Sequence, residues 1–161
     1  MRRTAEPTTE VDAATERRHV SVLFADLVGF TTLSEARDPE EVRELLSKYF
    51  DASKLLIERL GGVVEKFIGD AVMAIWGTPV AREDDAERAV RAALGLVEAV
   101  VALGFEAGLP SLKARAGVLT GEAVVTLGAQ GQGMVAGDLV NTASRIQSVA
   151  RPGEVLSLIH I

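Results

Sequence analysis

The chain has 161 residues, 48% hydrophobic and 25% charged, which is material for one folded domain with one core. Lys and Arg number 17 against 23 Asp and Glu, a net charge of -6, and that balance excludes a non-specific nucleic-acid binder, which needs a basic face to meet phosphate. The absence of cysteine excludes disulfide scaffolds, Cys-based zinc sites and thiol catalysis, and His19 and His160 alone make a histidine-based triad or metal site a poor fit.

Residues 1 to about 17 are rich in Thr, Ala and Glu and lack the apolar core of a secretory signal, so they read as a flexible leader or linker. Charges at Asp26, Lys66, Asp70, Arg91 and Glu98 interrupt every apolar stretch short of the ~20 residues a membrane span needs, so a cytoplasmic chain without a span is expected. VSVLFA, residues 20–25, reads as a strand buried on both faces, ended by Asp26 and the turn-permitting Gly29. Asp38, Pro39, Glu40 and Glu41 then give a helix start: a cap, a residue preset for the first turn, and two acids at the positive helix end. Val42, Leu45, Leu46, Tyr49, Leu56 and Leu60 recur at helical spacing up to Gly61 and Gly62.

Strands over 63–68 and 71–76 flank Gly69 and Asp70, a two-residue hairpin signal. A second helix opens at Glu83 to Asp85 with an apolar stripe from Ala86 to Val101. Residues 112–119 and 122–127 read as a strand pair turning at Thr120 and Gly121. A Gly/Gln loop leads to a helix from about Asp138 to Val149, and a last strand begins near Glu154. The order predicts an α+β fold with a ferredoxin-like split βαβ core, an antiparallel-rich sheet and helices packed on one face.

Asp26 follows a fully apolar strand and Asp70 lies between two others, so both are candidates to converge at one sheet end as ligands of Mg²⁺, which takes one or two protein carboxylates. The plain alternative is a turn cap and a hairpin-turn residue. Lys66, read as sharing a face with Val64 and Ile68, is either a solvent-facing lysine or a donor to a ligand on the sheet. Arg115 is a charge on a buried strand and must reach a carboxylate or a phosphate. Asn141 and Arg145 share one helix face, which is either solvated or ligand-facing, while Leu139, Ala143, Ile146 and Ala150 form the apolar one.

Four segments, VLFADLVGFTTLSE, EKFIGDAVMAIWG, ARAGVLTGE and GDLVNTASRIQ, resemble in order and spacing the catalytic domain of class III nucleotidyl cyclases, over about residues 18 to 157. The resemblance implies an adenylate cyclase: ATP is converted to 3′,5′-cyclic AMP and pyrophosphate by attack of the ribose 3′-OH on the α-phosphate, with two Mg²⁺ (or Mn²⁺) ions. It implies that Asp26 and Asp70 hold the metals and that the turn Leu27, Val28, Gly29, Phe30 and Thr31 cradles the triphosphate. It further implies that Lys66 reads the purine, Arg115 contacts phosphate, Asn141 orients the ribose and Arg145 stabilises charge on the α-phosphate. The family works as a head-to-tail homodimer in which one chain supplies the aspartates and the other supplies Lys66, Asn141 and Arg145.

Two departures stand out. The family's second purine-reading residue is an Asp or Thr, where this chain has Met134, which accepts the adenine amino proton poorly. The family pattern also continues past GEVL through further strands and a helix. This chain closes on SLIHI, so the expectation is a cyclase domain over 18–161 lacking its C-terminal strands, from a truncated or chimeric reading frame. An alternative is a pseudo-cyclase, a nucleotide-binding regulatory or dimerisation module without turnover. An RNA-binding domain of similar strand order is set aside, because aromatics are 4% and the chain is acidic.

Overall fold

In the chain's computed structural model, residues 15–127 and 133–159 are described. β1 (Thr15–Val28) is the central strand, and it leads through α1 (Phe30–Ala36) into α2 (Pro39–Arg59). α2 begins as its sequence requires: the Asp38 carboxylate accepts from the Glu40 N–H at 2.9 Å, with Pro39 at the first helical position. Its far end is held by Trp76, whose indole N–H donates to the Leu60 carbonyl at 3.0 Å. The hairpin of β2 (Val63–Ile68) and β3 (Ala71–Trp76) follows, then α3 (Asp85–Glu106), β4 (Lys113–Leu127), β5 (Gly133–Ala136), α4 (Asp138–Val149) and β6 (Val155–Ile159).

The sheet runs β2-β3-β1-β4-β5, all antiparallel, and β6 joins β4 in parallel. Residues alternate between its two faces. On one face Leu23, Ala25, Leu27, Val72, Ala74, Trp76, Ala114, Ala116 and Val118 pack against Leu45, Tyr49 and Ile57 of α2 and Ala89, Ala93 and Leu96 of α3. On the other, Val20, Val22, Phe24, Met73, Ile75, Leu119 and Val125 form a second cluster with Leu139, Ala143 and Ile146 of α4. The α+β class and antiparallel-rich sheet are as expected, but the helices are not on one face. α2 and α3 cover one side and α4 the other, because the odd and even residues of β1 are both apolar and each set needs a cover.

Thr120 and Gly121, expected at a turn, lie inside β4, opposite Ser21 and Val20 of β1. β4 stays extended because β1 pairs with it without interruption from Thr15↔Thr126 to Val28↔Lys113. The Ser21 and Thr120 hydroxyls satisfy each other across the strands at 2.8 Å in a buried position. β1 also begins at Thr15, inside the segment read as a leader. Of the Gly/Gln loop, residues 128–132 lie outside the described residues. Gly117 is where α4 meets the sheet: a Cβ there would stand 2.6 Å from the Gln147 nitrogen.

Candidate active site

Asp26 stands near the end of β1, two residues past Phe24, so its side chain lies on the α4 face of the sheet. Asp70 sits in the β2-β3 turn, and its Oδ2 accepts the Leu27 N–H at 2.9 Å. Only the Asp26 carbonyl carbon separates that nitrogen from the Asp26 Cα, so the Asp70 carboxylate oxygen lies within roughly 5.5 Å of it. The structure therefore brings the two aspartates together, although a helix-long segment separates them in sequence. The cause is local: β3 pairs with β1 through Ala25↔Val72, which carries the hairpin turn to the end of β1.

Arg115 is paired with Asp26 in the β1-β4 ladder and reaches a carboxylate rather than a free anion. Its Nε donates to Asp26 Oδ1 at 3.1 Å, and its Nη1 donates to the Ser148 carbonyl at the end of α4 at 2.9 Å. Among the described residues no further hydrogen bond engages Asp26 Oδ2, Asp70 Oδ1 or Arg115 Nη2. Those oxygens fit the needs of a hard divalent cation, which takes one or two carboxylates and fills its shell with phosphate and water. No group of three or more His, Cys, Asp or Glu side chains placed to hold a metal exists among the described residues, and this pair is the candidate donor set.

Beneath the pair, on the α2 side, lies Tyr49, 1% exposed, whose buried hydroxyl has no hydrogen-bond partner among the described residues. Burial pushes its pKa up, and the charges of Asp70 and Asp26 push it further. In the sequence Tyr49 reads only as a core residue of the α2 stripe.

The turn after β1 is made by Gly29, whose φ of +73° favours glycine and which caps α1 with its carbonyl bonded to the Leu33 N–H. No side chain caps α1, so the N–H groups of Phe30 and Thr31 are left without intrahelical partners, beside Leu27 and Val28 at the strand end.

Lys66 is exposed and, of the two residues expected on its face, it keeps Ile68 but not Val64. The β2-β3 register shifts between Val64, opposite Ala74, and Lys66, opposite Met73. Glu65 is the extra residue of this bulge, so Lys66 shares the face of Met73 while Val64 stays on the α2 side. Lys66 is therefore on the same face as Asp26, displaced by two strands and about two residues, roughly 12 Å between Cα positions. Burial raises the Glu65 pKa, an effect partly offset by the neighbouring Lys66 charge. Met134 lies opposite Thr126 in β5, next to Val135.

Asn141 and Arg145 are exposed on α4. With 100° per residue, they project roughly opposite the buried Leu139, Ala143, Ile146 and Ala150. They face away from the sheet that carries Asp26 and Asp70, and the structure of one chain does not bring them to that pair.

The model of the adenylate and guanylate cyclase catalytic domain matches residues 13–157. Adenylate cyclase 1 of Rhizobium meliloti (strain 1021) is 41% identical over 139 residues, 83% of this chain, and the chain spans 21% of that relative's length. Among solved structures, the adenylyl cyclase CyaB from P. aeruginosa is 31% identical with a TM-score of 0.82, over 89% of this chain and 78% of that one. The guanylyl cyclase Cya2 is 34% identical with a TM-score of 0.81, over 88% and 75%. The chain belongs to the adenylate and guanylate cyclase catalytic-domain family, a lyase by ancestry. No helix among the described residues is long and apolar enough to cross a membrane.

Proposed function

We propose that this chain is the catalytic domain of an adenylate cyclase that uses ATP and works as a head-to-tail homodimer in the cytoplasm. The observation that carries this reading is the Leu27–Asp70 hydrogen bond, which holds the Asp70 carboxylate against the main chain next to Asp26, at a strand end beside an uncapped helix turn. Asp26 and Asp70 would hold the Mg²⁺ or Mn²⁺ ions. When bound, those ions lower the pKa of the ribose 3′-OH and neutralise the triphosphate. Leu27, Val28, Gly29, Phe30 and Thr31 receive the triphosphate with backbone N–H groups. Arg115, anchored by Asp26 and Ser148, has Nη2 left to donate to a phosphate oxygen.

The second protomer supplies the rest, a division supported by the outward projection of Asn141 and Arg145 from α4. Asn141 orients the ribose. Arg145 takes up the negative charge that develops on the α-phosphate as its bond to the 3′-oxygen forms and its bond to pyrophosphate breaks. The 3′-hydroxyl proton leaves to solvent. Lys66 donates to adenine N1, an acceptor in adenine and an N–H donor in guanine.

One observation favours a nucleotide-binding module without turnover: Arg115 already holds Asp26. Product analysis with Mn²⁺ and either ATP or GTP separates the two readings. Cyclic AMP and pyrophosphate in equal amounts, abolished in Asp70→Ala, is the expected result. Nucleotide binding without any cyclic product would overturn it.

A further inference from the structure

The two aspartates at the end of β1 are held by partners of different charge. Asp70 accepts the neutral Leu27 N–H, which leaves its own charge in place. Asp26 accepts from the Arg115 guanidinium at 3.1 Å, which cancels its charge. The Arg115 and Asp26 side chains are 30% and 21% exposed, so this pair is drier than an ordinary surface ion pair. Among the described residues it is also the one ion pair between residues distant in sequence, placed by the β1-β4 ladder and not by a helix turn.

Arg115 is held at a second point. Its Nη1 donates to the Ser148 carbonyl in the last turn of α4, where a helix presents unpaired carbonyls and its negative end. Nη2 has no hydrogen bond among the described residues. The guanidinium therefore has an anchor on α4, a bond to Asp26 and a free edge. A cation on Asp26 would share one carboxylate with this guanidinium, and two positive groups at one carboxylate repel.

We propose that Arg115 is a latch on the aspartate pair. Without a triphosphate it cancels Asp26 and opposes divalent cations; a triphosphate releases it by taking the guanidinium, while Nη1 keeps its anchor on Ser148. The role rests on the reading of Asp26 and Asp70 as the metal ligands. It makes cation and nucleotide bind together rather than cation first. Asp26, Asp70 and Arg115 belong to one chain, so the latch does not depend on how two chains pair.

The test compares two probes on the full chain: bare Mn²⁺, with the free ion followed by electron paramagnetic resonance, and Mn²⁺–3′-deoxy-ATP, which lacks the attacking hydroxyl, followed by calorimetry. Arg115→Gln and Arg115→Met, two uncharged replacements, should bind bare Mn²⁺ about three- to tenfold more tightly and the Mn²⁺–nucleotide severalfold more weakly. Lys113, opposite Val28 in the same ladder, carries an equal charge and no ion pair among the described residues, so Lys113→Gln should change bare Mn²⁺ binding by less than about twofold. Unchanged or weaker bare Mn²⁺ binding in Arg115 variants that keep a cooperative urea transition overturns the latch. So does an equal gain in Lys113→Gln, or tighter binding of both probes, since no triphosphate would then be releasing Arg115. If Asp26→Asn and Asp70→Asn leave Mn²⁺ binding unchanged, the metal reading itself fails, and the latch with it.

Discussion

At Asp26 and Asp70 the sequence is most legible, because an acid ending an apolar strand is costly unless it has a partner. What it could not show is which partner: Asp26 takes Arg115, and Asp70 takes the Leu27 N–H. The bulge at Glu65 has no mark in the sequence, and it is what moves Lys66 to the face of Met73. Tyr49 is a further residue whose polar end was not read. Its hydroxyl is buried and unpartnered among the described residues, so Tyr49→Phe should be neutral or stabilising by about 1 kcal/mol in denaturant unfolding. A loss of that size would mean that the hydroxyl is bound, with Asp70 the first candidate. On the proposed assignment of Met134 to base reading, a thioether supplies no strong acceptor for the adenine amino group, which leaves one of two base contacts. At about 1 kcal/mol per hydrogen bond, ATP should be preferred over GTP by only about tenfold. Met134→Asp or Met134→Thr should raise the ratio of kcat/KM values for the two nucleotides, and a ratio left unchanged would place adenine reading elsewhere.

Elements set by local chemistry were read correctly: α2 by its Asp38 cap and Pro39, the β2-β3 hairpin by Gly69 and Asp70, and α4 by its apolar stripe. Those set by distant partners were not. Thr120 and Gly121 carry turn chemistry, but the long β1 holds them extended, with the Ser21–Thr120 hydroxyl pair inside the ladder. Ser21→Ala should cost about 1–3 kcal/mol, because it leaves a buried hydroxyl unpaired. Ser21→Ala combined with Thr120→Val should cost less than the two single changes together, as a double-mutant cycle by urea unfolding would show. Strict additivity would mean that the pair contributes nothing. The side of the sheet taken by α4 was equally hidden, since helical periodicity identifies an apolar face and not the surface it meets. Gly117 records that choice, because a side chain there would strike the Gln147 main chain. Gly117→Ala should therefore destabilise the fold by about 1–3 kcal/mol, read as a lower urea midpoint. An unchanged midpoint would mean that α4 is seated less closely.

Over the whole molecule, one chain does not bring the two groups of proposed site residues together. Asp26 and Asp70 lie at the end of β1, while Asn141 and Arg145 project from the outer side of α4. A symmetric dimer repeats both halves, so each complete site would draw on two chains. Asp26→Ala and Arg145→Ala should each abolish cyclic AMP formation alone. Mixed in equal amounts with subunit exchange, they should form heterodimers with one doubly damaged and one intact site, returning about a quarter of the unmutated activity for random pairing. Cyclic AMP formation in that mixture, with heterodimers verified by differential tagging, is the most direct measurement. Recovery near that level is the expected result, and no recovery despite verified heterodimers would contradict the shared-site account.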